Sequence, residues 1–187
     1  NNFIKKNKNK NKNIKFRLIK LEKNKGKGYA LKKGIAKANN DWILTIDTDI
    51  SVSLLEINNW VKKKYLNKKN LIYFGSRNLK KSKTSFKIHR KILGKIFSFM
   101  LNILFGITIR DTQCGFKLYK KITAKIIFKK IKDHGYVHDV EVILIARKLK
   151  YFINEVPITW IHRDNSKLNI FYDPIRMLFK LLLIKKN

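Results

Sequence analysis

Apolar and polar positions alternate in blocks along the chain, and the period of each block predicts an element. Residues 16–21, Phe-Arg-Leu-Ile-Lys-Leu, read as a strand. A glycine-bearing loop, Lys23-Asn24-Lys25-Gly26-Lys27-Gly28, leads into a helix expected over 29–38. Residues 42–46, Trp-Ile-Leu-Thr-Ile, form a short and nearly continuous apolar run, the pattern of a buried parallel strand, and it ends at Asp47-Thr48-Asp49. A helix is expected over 54–65 and a strand over 71–74, closed by Gly75-Ser76-Arg77. Further on come helices near 121–132 and from 137 onward, a strand near 151–156, and a terminal helix over about 174–184. Strands that alternate with helices predict an α/β domain with a parallel or mixed sheet.

Residues 86–109 break the rhythm. Phe86, Leu93, Ile96, Met100 and Leu104 recur at helical spacing, while Lys87, Arg90, Lys91 and Lys95 collect on another side. This is a basic amphipathic segment running into a wholly apolar one, the pattern of a helix lying on a membrane surface or of a core helix pair. Its uncharged run, 96–109, has 14 residues, short of the roughly 20 needed to cross a bilayer.

The chain has 187 residues, enough for one domain with a real core. Residues 1–15 hold six Asn and six Lys and read as a flexible tail, leaving 16–187 as a single domain. Lys and Arg number 44 against 12 acids, a net charge of +32 that favours anionic partners. Only 7 of the 44 are Arg, the usual tool for reading phosphates and bases in two-point fashion. A basic nucleic-acid-binding protein is therefore the weaker alternative, and no specific nucleic acid is expected. The single cysteine, Cys114, excludes an intrachain disulfide.

Two short motifs carry candidate chemistry. On an extended segment Asp47 and Asp49 face the same way, so both carboxylates can meet one hard cation such as Mg²⁺ or Mn²⁺ bridging a diphosphate. A solvated loop with two acids is the bland alternative. Lys25-Gly26-Lys27-Gly28 can offer backbone N–H groups to phosphate, but a tight turn explains it equally well, and it matches neither a Walker motif nor a dinucleotide fingerprint. Asp139, ahead of an apolar helical run, fits a helix cap.

Taken in order, the glycine loop, Asp47-Thr48-Asp49-Ile50-Ser51, Gly75-Ser76-Arg77, Asp111-Thr112-Gln113-Cys114-Gly115-Phe116-Lys117-Leu118-Tyr119, Asp139-Val140-Glu141, Val156-Pro157-Ile158-Thr159-Trp160 and Ser166-Lys167 resemble the family 2 glycosyltransferases. The nearest branch is the polyprenyl-phosphate sugar synthases, with the dolichyl-phosphate glucosyltransferase type ahead of the mannose type. The resemblance implies a GT-A fold, a doubly wound mixed sheet that binds a nucleotide-sugar and a divalent metal. By it, Asp47 and Asp49 hold Mg²⁺ or Mn²⁺ and the diphosphate, and Lys25 and Gly26 lie beside the nucleotide. Arg77, Arg90 and Gln113 face the acceptor phosphate, Asp139 is the catalytic base, and Glu141 braces the site. Ser51 stands where many relatives carry Gln.

The implied reaction is inverting transfer of a sugar, glucose being favoured, to a polyprenyl phosphate. UDP-glucose is the favoured donor and GDP-mannose the alternative. The implied place is the cytoplasmic face of a membrane, against its anionic surface. The family's opening strands, with a Pro-Ala-Tyr-Asn-Glu-like sequence, have no counterpart in residues 1–22, so an incomplete N-terminus is expected.

Overall fold

The computed structural model describes residues 15–67, 69–85, 88–135, 137–161 and 180–181. In chain order the elements are α1 (Lys27–Lys37), β1 (Trp42–Thr45), α2 (Glu56–Lys62), β2 (Ile72–Ser76), β3 (Lys83–Thr84), α3 (Ile88–Phe105), β4 (Lys117–Lys120), α4 (Lys121–Lys130), α5 (His138–Lys148), β5 (Ile153–Pro157) and β6 (Thr159–Trp160). The main sheet has the order β1-β4-β2-β5. Strand β4 runs antiparallel to both β1 and β2, and β5 runs parallel to β2. A second, two-stranded parallel sheet joins β3 to β6.

Side chains alternate across the main sheet with period two. Ile43, Ile72, Phe74, Tyr119 and Ile153 point to one face, where they meet Ile35 of α1, Ile127 and Phe128 of α4, and Val140 and Ile143 of α5. Leu44, Tyr73, Leu118 and Val156 point to the other, around Trp60 of α2. Trp60 is fully buried, and its indole N–H donates to the Pro157 carbonyl at 3.1 Å. Helices thus cover both faces, which is the doubly wound arrangement.

The topology decides where chemistry can sit. Because β4 is reversed, one edge of the sheet collects the carboxyl ends of β1, β2 and β5 together with the amino end of β4. Asp47 follows β1, Arg77 follows β2, the 111–116 loop precedes β4, and β6 follows β5. Ligands of open α/β sheets bind at this edge.

Several expectations are corrected. Residues 16–21 join no strand ladder among the described residues; Leu18 is exposed, and the segment is tied back by the Arg17 guanidinium, which donates to the Lys37 carbonyl at 2.9 Å. An apolar alternation makes a strand only where a neighbour supplies the ladder. Among the described residues β1 pairs with β4 alone, antiparallel, so it is not a strand flanked by parallel neighbours.

Helix α3 forms, but its faces differ from the expected ones. Leu101 is buried and Phe97 and Phe105 pack on the main core, whereas Ile92, Ile96, Phe99 and Ile103 form an exposed row. Leu93, Met100 and Leu104 are half-buried flanks. The helix is apolar nearly all round, so spacing alone does not select its inward side. No helix among the described residues is long and apolar enough to cross a membrane. Residues 1–14 of the expected tail lie outside the described residues, as do Phe86, Lys87, Ser166-Lys167 and all of the expected terminal helix except Lys180 and Leu181. Of those two, Leu181 is buried in the main core.

Candidate active site

The Asp47-Thr48-Asp49 motif lies in a tight turn, not on an extended segment. The Ile50 N–H donates to the Asp47 carbonyl at 3.1 Å, and Asp49 Oδ1 accepts from the Ser51 N–H at 3.0 Å. Ile50 takes φ +51°, a left-handed conformation that is rare for a β-branched residue. Strain of this kind, on the order of 1–3 kcal/mol, collects at functional turns. The turn leaves Asp47 half-exposed and Asp49 exposed, while Ser51 is buried with no hydrogen-bond partner for its hydroxyl among the described residues.

Asp47 sits at the mouth of a small cleft shared with Ser51, Arg77, Gly115 and Trp160. A Cβ on residue 115 would collide with the Asp47 carboxylate, so only glycine admits this approach. The carboxylate is held by Lys27, whose Nζ donates to Oδ1 at 2.6 Å. Burial alone would lower the Lys27 ammonium, yet Asp139 and Asp47 together keep it above its ordinary value. Lys25, the lysine the sequence reading placed at the nucleotide, is exposed instead and lies 5.1 Å from the centre of the Tyr29 ring.

The glycine loop serves as a tight turn. Gly26 has φ +95°, and a side chain there would strike the His134 carbonyl. The Gly28 N–H donates to that same carbonyl at 2.9 Å. The start of α1 is thereby fixed against the 133–138 loop. Glu141 braces that loop from the other side, accepting from the backbone N–H groups of Lys132 and Asp133 at 2.9 Å.

Across the cleft Arg77 forms a two-point pair with Asp111, Nε at 2.7 Å and Nη2 at 2.8 Å, and its backbone N–H donates to the same carboxylate. Burial would push the Asp111 carboxyl up, but Arg77 holds it below the usual range. The guanidinium lies 5.8 Å from the Trp160 ring. Glu155 fixes the turn before this pair by accepting from the N–H groups of Arg110 and Asp111. Gln113, half-buried, donates to the Thr112 hydroxyl at 3.3 Å and does not line the cleft. Arg90 lies in the first turn of α3, and its side chain is outside the described part of the structure. Cys114 is buried, and burial together with Asp111 pushes its thiol up to about 12, which excludes it as a nucleophile at neutral pH.

Asp139 is nearly fully buried and paired with Lys117, the first residue of the central strand β4. The Lys117 ammonium also donates to the Thr112 carbonyl at 2.9 Å and stands 4.4 Å from the Phe74 ring centre. Burial opposes the charge on Asp139, but Lys117, His138 and Lys27 hold its carboxyl below the ordinary value. His138 Nε2, 3.5 Å from Asp139, has no hydrogen-bond partner among the described residues, and burial lowers its imidazole. The structure thus sets three cation–anion pairs along one sheet edge: Lys27–Asp47, Arg77–Asp111 and Lys117–Asp139. It joins Asp47 and Arg77 in one cleft, while Asp139, paired with Lys117 at the start of β4, and also Lys25 and Gln113 are not among the residues that line it.

The sequence reading gave Lys27, Lys117, Asp111 and Glu155 no role. The signal for Lys27 was its place at the first helical position, two residues beyond the lysine chosen. For Lys117 and Asp111 it was their presence within the quoted motifs.

Two hard carboxylates at a strand end, an orphaned hydroxyl beside them and a glycine-only approach suit a divalent cation. Among the described residues no three His, Cys, Asp or Glu side chains gather closely enough to hold a metal ion by themselves.

The family model described as Glycosyl transferase family 2 matches residues 2–127, so the match reaches into the Lys/Asn-rich stretch set apart as a tail. A dolichyl-phosphate beta-glucosyltransferase of Trichomonas vaginalis is 33% identical over 151 residues, covering 77% of this chain and 46% of that protein. The human dolichyl-phosphate beta-glucosyltransferase is 33% identical over 167 residues, covering 85% of this chain and 51% of that protein. The chain spans about half the length of these curated relatives.

Among solved structures, glucosyl-3-phosphoglycerate synthase of Mycobacterium tuberculosis with phosphoglyceric acid superposes with a TM-score of 0.61 at 16% identity, covering 92% of this chain and 56% of that one. The same synthase with Mn²⁺ and UDP-glucose gives 0.58 at 17% identity, covering 92% and 56%. The likeness is one of fold, and the fold is GT-A. The chain belongs to glycosyl transferase family 2.

Proposed function

We propose that this chain catalyses inverting transfer of glucose from UDP-glucose to a polyprenyl phosphate of the dolichyl type at the cytoplasmic face of a membrane. The observation that carries the reading is that Asp47 and Arg77 line one small cleft at the carboxyl edge of the sheet, which sets a carboxylate for a donor-bound cation beside a guanidinium for a phosphate. The names of the relatives support the acceptor and the sugar, and the synthase bound to UDP-glucose supports the nucleotide. Asp47 and Asp49 would hold Mg²⁺ or Mn²⁺, as the synthase structures hold those ions. When bound, such an ion neutralises charge building on the leaving diphosphate.

The chain's own residues supply the rest. Lys27 adds a positive charge beside Asp47. Arg77, kept rigid by Asp111 and Trp160, orients the acceptor phosphate, with Arg90 as a further acceptor-side group and the Gly26 turn on the nucleotide side. A phosphate acceptor is already ionised near neutral pH, so Asp139 need not be a strong base. Held ionised by Lys117, it serves the reaction as a fixed negative charge under the sugar.

Transfer of radiolabelled glucose from UDP-glucose to dolichyl phosphate should proceed with Mg²⁺ or Mn²⁺ and fall by at least about a hundredfold in EDTA. GDP-mannose should serve poorly. Turnover indifferent to EDTA, or faster with GDP-mannose, would reject the assignment.

The exposed row on α3 supports the membrane side of the reading. Ile92, Ile96, Phe99 and Ile103 follow the three-and-four spacing of one helix face, and Lys95 is exposed beside them. A helix of this kind lies in the headgroup plane with its apolar row among the acyl chains. Vesicles containing phosphatidylserine should float the protein. Phe99→Asp with Ile103→Asp should weaken that binding by about tenfold or more, since each loses the burial of one large apolar side chain. Equal flotation of both forms would show that α3 is not the contact.

A further inference from the structure

We propose that Lys27 is a built-in cation that occupies Asp47 until the donor arrives, and so makes divalent-metal binding conditional on a nucleoside diphosphate. The proposal rests on the reading of Asp47 as a metal ligand. Lys27 is the first residue of α1, where the helix N-terminus already presents positive partial charge. A lysine there has the wrong sign for the helix, and the first turn holds no acid to offset it. What rewards the placement is on the far side of its stem. Its Nζ donates to Asp47 Oδ1 at 2.6 Å, and Asp139 adds a second negative charge nearby.

A divalent cation approaching Asp47 must therefore either displace an ammonium or sit beside it. Both are unfavourable while the only balancing charges are the carboxylates already present. A diphosphate changes the balance, because its oxygens can accept the Lys27 ammonium and coordinate the metal together. Metal and diphosphate then bind cooperatively, and by linkage each raises the affinity of the other by the same factor. The acid–cation pair keeps the strand-end carboxylate ordered in the absence of metal and discourages idle metal loading. The side chain is only part-buried, so it can swing from Asp47 to a phosphate without unpacking the core.

The test is Mn²⁺ binding to the full chain, followed by the paramagnetic resonance signal of free Mn²⁺, with UDP affinity measured calorimetrically in EDTA and in Mn²⁺. In Lys27→Gln, Mn²⁺ alone should bind about tenfold more tightly than to the unsubstituted protein, and the factor by which Mn²⁺ raises UDP affinity should shrink accordingly. Lys27→Arg keeps the charge and should retain the original values. Unchanged or weaker Mn²⁺ binding in Lys27→Gln overturns the proposal, as does equal tightening in both variants, which would trace the effect to shape. Asp47→Asn separates the two levels of the argument. Loss of Mn²⁺ binding there upholds Asp47 as a ligand whatever Lys27 does; undiminished binding overturns that assignment and this proposal with it.

Discussion

Asp49→Asn should lower metal-dependent glucosyl transfer by about a hundredfold or more while leaving the melting temperature nearly unchanged. The substitution is close to isosteric. Asp49 is exposed, and its Oδ1 accepts from the Ser51 N–H, which an asparagine oxygen reproduces. The strained turn at Ile50 is thereby preserved, and only the charge is removed. A neutral amide is a poor ligand for a hard cation competing with water, so half of the protein's anionic donor set is lost. The effect should appear mainly as a lower kcat, because charge on the leaving diphosphate grows toward the transition state. Steady-state transfer rates across a Mn²⁺ titration, with thermal melts on the same samples, check it. Near-normal turnover with an unchanged Mn²⁺ optimum would remove Asp49 from the site.

The parts of the site carried by local pattern were legible in the sequence, and the parts carried by long-range pairing were not. The apolar run before Asp47 marks a strand wherever it packs, so the strand-end position of Asp47 followed directly. The turn that presents Asp47 and Asp49 did not, since a left-handed Ile50 has no sequence signal. Strand β4, Lys117–Lys120, lies in the middle of the sheet although two of its four residues are lysines. Burying Lys117 is tolerable only because Asp139, 22 residues further on, meets it there. Nothing within the strand announces that partner. The reverse error occurred at residues 16–21, where a strand-like pattern found no ladder. The helix expected from residue 29 starts two residues earlier, at Lys27, where the close approach of Gly26 to the His134 carbonyl fixes the turn, and that start puts Lys27 rather than Lys25 on Asp47.

Lys117→Met should destabilise the fold by about 3–5 kcal/mol at neutral pH, because it leaves a carboxylate buried without its main partner. Asp139 and Lys117 are both nearly fully buried, and the methionine cannot donate to either Asp139 or the Thr112 carbonyl. The sign of the pH dependence identifies the cause. In the unsubstituted protein the Asp139 carboxyl lies below its unfolded value, so its contribution is present above the unfolded carboxylate range, near 4, and is lost as pH falls toward the folded value. The His138 imidazole is also lowered, so the unfolded chain takes up that proton first and stability falls as pH drops through about 6.5. Acidification therefore weakens the unsubstituted protein throughout. In Lys117→Met the buried Asp139 charge is relieved by any proton nearby, whether on Asp139 itself or on His138 Nε2 at 3.5 Å. That variant should gain stability between pH 7 and pH 5, opposite to its parent. The double substitution Lys117→Met with Asp139→Asn removes both charges and should recover most of the loss, the signature of a coupled pair. Denaturant melts of the three proteins across that pH range decide the matter. A Lys117→Met protein that weakens on acidification as its parent does, or a double variant no more stable than the single one, would show that this pair does not hold the site together.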